Sequence, residues 1–182
     1  MKVIGVVGLP ASGKGEFARI VAAHGVPVVV MGDVIRNEVA AAGLPPTDAN
    51  MGAVANRLRS LHGMDAIAKL CIPVIRQLNA PVVLVDGIRG DTEVRLFRKF
   101  FPEFRLVAIE TAFANRLERL QSRGRSDDTT TADTLKARDE RELGWGLGEA
   151  IRLADFRLNN DRDLAAFSDD VAALIHKLEG EG

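Results

Sequence analysis

The sequence lacks the features that mark disulfide-linked, zinc-binding, membrane-spanning or nucleic-acid-coating proteins. Its one cysteine, Cys71, excludes an intramolecular disulfide and a zinc site built on cysteine pairs. No apolar run approaches the roughly 18 residues of a membrane span. The 24 basic and 25 acidic side chains leave a formal charge of −1, which argues against DNA as a partner and disfavours RNA. We therefore expect a cytoplasmic protein with no membrane partner.

The composition and length fit one folded domain covering residues 1–182. Apolar residues make up 47% of the chain, enough to build a core. The opening MKVIGVVGLP has no small-residue cleavage pattern, so we interpret it as a core strand and not as a signal peptide.

Four short β-rich runs alternate with helical patterns along the chain. They begin at Val3, Val26, Pro81 and Arg105, and a weaker fifth run covers residues 156–158. The four runs are continuously apolar, which is typical of a parallel sheet covered on both faces. The sequence therefore predicts a three-layer α/β fold.

Two segments interrupt this alternation. Residues 33–79 are longer than one crossover helix requires and carry two helical stripes, which predicts a helical insertion. Pro73 lies inside the second stripe and should kink that helix. Residues 121–137 include the polar run RGRSDDTTT, which predicts an exposed, mobile loop that serves as a short lid.

The strongest functional signal is GLPASGKG, residues 8–15, between the first strand and the first helix. Backbone N–H groups in such a loop point at an anion, and the helix N-terminus adds partial positive charge. The lysine reaches the β- and γ-phosphates of a nucleotide. In the usual pattern a Ser or Thr follows the lysine and holds Mg²⁺, whereas here that position is glycine. The predicted ATP-binding residues are Gly8, Leu9, Pro10, Ala11, Ser12, Gly13, Lys14 and Gly15.

Further polar motifs follow the second and third strands and surround the lid. The second strand leads into GDVIR, residues 32–36, and the third ends in DGIR, residues 86–89. An aspartate that ends an apolar strand is positioned for the water shell of Mg²⁺, so Asp86 is the predicted metal residue. Arginines near the lid suit the screening of charge on a transferred phosphoryl group: Arg116, Arg119, Arg123, Arg125, Arg138 and Arg141.

Together these motifs resemble those of adenylate kinases and dephospho-coenzyme A kinases. Nearly the whole chain resembles an archaeal-type P-loop kinase family related to both, many of whose members have no assigned substrate. The resemblance implies a five-stranded sheet in the order 2-3-1-4-5. It also implies that Arg36 and Arg89 hold the phosphate of an acceptor.

The resemblance extends to the lid and to the end of the sheet. Residues 154–160 resemble the end of dephospho-coenzyme A kinases, which makes Asn160 a candidate contact to the adenine base. Trp145 is outside the general kinase pattern and either stacks on a base or packs the lid hinge. By comparison with the related kinases, the candidate catalytic arginines are Arg119, Arg123 and Arg138.

Three functions are open. The leading one transfers the γ-phosphoryl group of ATP, with Mg²⁺, to a nucleoside monophosphate. The second is dephospho-coenzyme A kinase-like transfer to a ribose hydroxyl, with Asp33 as the general base. The third is an ATP-dependent switch or RNA-associated factor on a kinase scaffold. In each case we expect a monomer or a homodimer.

Overall fold

The computed structural model describes residues 1–123 and 131–180, apart from the side chains at positions 48, 123 and 179. The strands are β1 (Lys2–Val7), β2 (Val28–Val30), β3 (Val82–Asp86), β4 (Phe104–Glu110) and β5 (Phe156–Asn159). The helices are α1 (Lys14–Ala23), α2 (Met31–Ala41), α3 (Asp48–His62), α4 (Ala66–Gln77), α5 (Asp91–Phe100), α6 (Phe113–Arg123), α7 (Ala132–Gly144), α8 (Leu147–Arg152) and α9 (Leu164–Gly180).

The strands form one parallel sheet in the order β2-β3-β1-β4-β5. The central strand β1 pairs with β3 on one side, where Ile4 lies opposite Leu84, and with β4 on the other, where Ile4 lies opposite Arg105. The predicted order 2-3-1-4-5 is confirmed. In the described part of the chain, no helix is long and apolar enough to cross a membrane.

Both faces of the sheet are buried, because successive side chains of a strand point to opposite faces. In β1, Ile4 and Val6 pack with residues of α1 and α9, whereas Val3 and Val7 pack with residues of α2, α4, α5 and α8. This explains the continuous apolar run of the first strand and confirms the three-layer α/β fold.

The segment between β2 and β3 is helical, as its two stripes predicted, and also contains α2. This helix begins at Met31, directly after the strand, with Val30 as its N-cap. Asp33 therefore lies inside the first turn and is not the cap. The following helices are α3, capped by the Thr47 side chain, and α4, which continues past Pro73 to Gln77.

The predicted lid loop, residues 121–137, is too long at both ends. Residues 121–123 belong to α6, and residues 132–137 belong to α7. The Thr131 hydroxyl accepts the backbone N–H of Thr134 and so begins α7, and Leu135 anchors the helix in the interior. The centre of the polar run, residues 124–130, lies outside the described residues.

Candidate active site

The loop of residues 8–13 connects β1 to α1 at the carboxyl end of the sheet. Gly13 has a φ of +106°, in the left-handed region, and any Cβ there would overlap the side-chain amide of Asn160. A Cβ on Gly8 would lie 2.6 Å from the carbonyl oxygen of Ile109. Both glycines are thus required by backbone geometry and by close packing behind the loop.

Side chains from the far end of the sheet hold this loop from behind. The Thr111 hydroxyl and the Asn160 side-chain amide each donate to the Ser12 carbonyl oxygen at 2.9 Å. Arg116 donates to the Pro10 carbonyl oxygen at 3.0 Å. These contacts fix the carbonyl groups of Pro10 and Ser12, and the Ser12 N–H closes a turn by donating to the Leu9 carbonyl oxygen at 3.1 Å.

Arg116 also connects the loop to α6 and α7, the helices that precede and follow residues 124–130. Its two terminal nitrogens donate to the Asp139 carboxylate of α7 at 2.8 and 2.6 Å. The side chains of Arg116 and Asp139 are only 4% and 13% exposed. The pair therefore joins α6, α7 and the loop in one buried, charge-assisted contact.

Buried polar atoms beside the loop lack hydrogen-bond partners. Among the described residues these are Ser12 Oγ, Arg116 Nε and Arg119 Nη1. Arg119 is held by a 2.6 Å hydrogen bond from Nη2 to the Asn160 carbonyl oxygen, and its Nη1 lies near Gly13. A buried donor without a partner is costly, and an anion bound at the loop would supply the missing acceptor.

Lys14 lies at the start of α1 with its ammonium group turned into the loop. It donates to the carbonyl oxygens of Gly8 at 2.6 Å and Leu9 at 3.0 Å. Burial lowers the pKa of Lys14 from its ordinary value of 10.5 to about 8, against the opposing attraction of Glu142 and Asp86. The pKa of Lys14 thus lies not far above neutral pH. An anion bound close to the lysine would favour its charged form.

Charged groups from three other elements surround Lys14. Asp86 ends β3, and burial raises its carboxyl pKa above the ordinary value, although Lys14 draws it down. Glu142 of α7 accepts from Arg138 Nε at 3.3 Å and lies 3.5 Å from Arg89 Nη1. The structure thus brings together four of the site residues suggested by the sequence: Asp86, Arg89 and Arg138 lie near Lys14, together with Glu142.

Other residues suggested by the sequence lie elsewhere. Asp33 and Arg36 form an ion pair with each other on α2, and both side chains are more than half exposed. Asn160 does not present its amide to a base, since Nδ2 bonds to Ser12 and Oδ1 lies 3.4 Å from Arg119 Nη2. Arg123 ends α6, and its side chain lies outside the described residues, as does Arg125.

Sequence reasoning missed Glu142, Asp139 and Thr111. Arg138 and Glu142 are four residues apart, a spacing that normally indicates an exposed helical ion pair. Glu142 is nevertheless only 6% exposed, because α7 packs against the site. The one available signal was that Glu142 lies three residues before Trp145, to which the general kinase pattern assigns no role.

The fold and the loop define a protein of the P-loop kinase class, and a family model described as an AAA domain matches residues 7–136. The chain belongs to the UPF0200 family. It is 64% identical to the UPF0200 protein of Methanoregula boonei over 181 residues, covering all of both chains. It is 58% identical to that of Methanoculleus marisnigri, covering 99% of this chain and 98% of the relative. The resemblance to an archaeal-type P-loop kinase family is confirmed.

Solved structures share the same fold. TT1252 from Thermus thermophilus superposes with a TM-score of 0.70 at 17% identity, covering 97% of each chain. Dephospho-CoA kinase from Campylobacter jejuni gives 0.65 at 16% identity over the whole of both chains. Shikimate kinase from Aquifex aeolicus gives 0.53 at 17% identity over 99% of each. At these identities the similarity establishes the architecture alone.

The lowered pKa of Lys14 predicts that phosphate binding becomes weaker above pH 8. A bound polyphosphate favours the ammonium form, so binding near this pH takes up a proton, and the affinity falls as the pH rises further. The stability of the protein without ligand should instead increase over this pH range. Because the unfolded chain holds the Lys14 proton up to its ordinary pKa, the free energy of unfolding should rise between about pH 8 and 10.

Calorimetric titration of pyrophosphate in buffers of different ionisation enthalpy measures this proton uptake. Lys14→Arg provides the control, because arginine stays charged over this range. The proton uptake should vanish in Lys14→Arg. Equal uptake in both proteins would assign the proton to another group.

Proposed function

We propose that this protein transfers the γ-phosphoryl group of ATP to a small nucleotide acceptor, and that the acceptor is a nucleoside monophosphate. One observation carries the proposal: Glu142 holds Arg89 at 3.5 Å and Arg138 at 3.3 Å near Lys14, beside a loop with unpartnered buried donors. Such a site can bind the phosphates of ATP and the phosphate of an acceptor side by side. A protein that only bound ATP would not require arginines beyond the groups that hold the ATP phosphates.

The chain's residues supply positioning and charge screening, which are the main requirements of phosphoryl transfer. The loop N–H groups and Lys14 hold the β- and γ-phosphates, and Arg119 reaches the nucleotide with its free Nη1. Arg138, together with Arg123 at the end of α6, screens the charge on the transferred group. Arg36 and Arg89 hold the acceptor phosphate, which is already an anion near neutral pH, so no general base is required.

The residues present fit a Mg²⁺ ion that is brought in with ATP. Asp86 is a half-buried carboxylate at the end of β3 beside Lys14, whereas Gly15 offers no hydroxyl. Within residues 1–123 and 131–180, no group of three acidic, histidine or cysteine side chains surrounds a metal position. Asp86 would thus bind a water ligand of an ion that keeps much of its hydration. When bound, Mg²⁺ neutralises charge on the β- and γ-phosphates.

The decisive experiment measures ADP release from Mg-ATP with a panel of nucleoside monophosphates and dephospho-coenzyme A. Stimulation by a monophosphate should be lost in Lys14→Ala, and Arg36→Ala should raise the KM for the acceptor. The matched control is Arg152→Ala, since Arg152 forms an equally spaced exposed ion pair with Glu149 on α8. That variant should leave both the stimulation of ADP release and the KM for the acceptor unchanged.

The other outcomes separate the alternative functions. Stimulation by dephospho-coenzyme A alone, lost in Asp33→Asn, would assign transfer to a ribose hydroxyl with Asp33 as the base. ATP binding that depends on Lys14 without stimulation by any acceptor would contradict a kinase. It would favour an ATP-dependent switch that acts on a macromolecular partner.

A further inference from the structure

A cavity of about 300 Å³ opens beside the phosphate site. It lies between α3 and the α7–α8 junction and is lined by Asn56, Arg59, Ser60, Met64 and Trp145. We call it the indole cavity. Its volume is at the lower end of the range for small-ligand sites, and its lining combines one aromatic ring, one thioether and several polar groups.

Tight backbone packing fixes the position of Trp145 at the end of α7. The Trp145 carbonyl oxygen lies 2.9 Å from where a Cβ on Gly90 would be, so only glycine allows this approach. The next residue, Gly146, has a φ of +95° and begins α8. The backbone of Trp145 is therefore fixed on both sides, which limits the positions that its side chain can adopt.

Three guanidinium groups gather around this one indole ring. Those of Arg89 and Arg141 lie 5.8 Å from the ring centroid, and that of Arg59 lies at 6.0 Å. A single cation over a tryptophan is a common stabilising contact. Three cations repel one another, and Glu142, which lies 3.5 Å from Arg89, offsets only part of this charge. The phosphate of a ligand bound at Arg89 would relieve more of the repulsion.

Two acidic side chains lie beside this cluster, and Glu142 is already engaged with Arg89 and Arg138. Glu93 is 2% exposed, and its carboxylate accepts the Arg89 backbone N–H at 2.8 Å. In the described part of the chain, Arg59 has no carboxylate oxygen within the 4.0 Å of an ion pair, and burial lowers its pKa. Arg59 therefore lines the cavity as a partly desolvated cation that Glu93 attracts without forming an ion pair, a state that a nearby anionic group would stabilise further.

Arg89 connects the indole cavity to the reacting phosphates. It contacts the Trp145 ring, lies 3.5 Å from Glu142, and influences the pKa of Lys14. A ligand whose ring lies in the cavity can therefore extend an anionic group past Arg89 toward the phosphate-binding loop.

We propose that the indole cavity binds the planar heteroaromatic ring of the acceptor, stacked against Trp145 and Arg59, with its phosphate at Arg89. Indole and guanidinium planes both stack on nucleobases. Asn56 and Ser60 line the same space and carry the polar atoms that recognise a base edge. The inference rests on the proposed transfer reaction and narrows it, because an acceptor without an aromatic ring would leave the cavity unfilled.

The binding test uses Trp145 itself, because it is the one tryptophan in the sequence. Its fluorescence is titrated, without ATP, with the monophosphates of adenosine, guanosine, cytidine and uridine, and with ribose 5-phosphate as the ring-free probe. At least one base-bearing probe should give a saturable change at a concentration about tenfold lower than ribose 5-phosphate. Equal responses to the base-bearing and ring-free probes would overturn the proposal.

Variants show whether the cavity is the binding site. Arg59→Ala should weaken the base-bearing probe about tenfold and ribose 5-phosphate by clearly less, because the ring-free probe loses no stacking contact and keeps its phosphate at Arg89. The matched control is Arg76→Ala, since Arg76 lies 5.5 Å from the Phe100 ring in a similar cation–aromatic pair away from the cavity. By calorimetry, Trp145→Phe should retain most of the affinity and Trp145→Leu should lose it. Equal affinity in the phenylalanine and leucine variants would contradict stacking.

The test separates this inference from the proposed function. Saturable binding that depends on Arg59 but gives no ADP release with any acceptor supports the cavity and contradicts the kinase. Acceptor-dependent ADP release that is the same in Arg59→Ala and in the wild-type protein supports the kinase and overturns the role of the cavity.

Discussion

Replacement of Arg116 with methionine should lower the free energy of unfolding by about 3–5 kcal/mol, the usual cost of breaking a buried ion pair from one side. The substitution leaves the Asp139 carboxylate buried without its bidentate partner and removes the donor to the Pro10 carbonyl oxygen. The loop should then lose its rigid shape, so ADP should bind more weakly as well. Urea unfolding with and without ADP measures both effects.

Two comparisons make this prediction specific. The double variant Arg116→Met, Asp139→Leu should recover part of the lost stability, because no unpaired buried charge remains. Its nucleotide affinity should stay low, since the Pro10 carbonyl still lacks a donor. Arg95→Ala removes an exposed pair with Asp91 and should cost less than about 1 kcal/mol. A double variant as unstable as the single one would show that the charge pair does not account for the loss.

The sequence predicted the sheet and the phosphate-binding loop because both depend on local signals. The apolar runs mark buried parallel strands, and a glycine-rich turn between strand and helix has few other uses. The order of the strands came from family resemblance, since no local pattern in one sequence determines which strands are neighbours. The strand ends shifted by one or two residues, as β2 shows by beginning at Val28 instead of Val26.

The supports behind the loop could not be predicted in this way. Arg116 reaches Pro10 and Asn160 reaches Ser12 across more than a hundred residues of chain. Nothing in the sequence near Asn160 distinguishes an amide that braces a loop from one that contacts a base. The same holds for Glu142, whose spacing from Arg138 resembles that of an ordinary exposed helical pair.

Replacement of Glu142 with glutamine should make the protein less stable alone and more responsive to phosphate ligands. The carboxylate now lies between Arg89, Arg138 and Lys14, so its loss leaves three cations to repel one another. Since Arg89 and Arg138 are partly exposed, the cost should be about 1–2 kcal/mol, or about 2–8 °C in melting temperature. Pyrophosphate should bind about tenfold more tightly, because it no longer meets a negative charge.

The gain in affinity for pyrophosphate should depend on the pH of the measurement. Glu142 is the strongest of the influences that raise the pKa of Lys14, so glutamine should move that pKa further below 8. Tighter pyrophosphate binding should thus be seen near pH 6.5, where Lys14 stays charged in both proteins, and should diminish as the pH rises. Titration calorimetry at several pH values tests this trend directly.

Glu140 provides the matched control because it lies on the same helix with its side chain exposed. Glu140→Gln should change neither the melting temperature nor the affinity for pyrophosphate by a measurable amount. If Glu142→Gln bound pyrophosphate no more tightly than Glu140→Gln near pH 6.5, Glu142 would not face the bound phosphate. Tighter binding by Glu142→Gln than by Glu140→Gln would instead show that Glu142 pairs with the arginines in the free protein and that the ligand replaces it there.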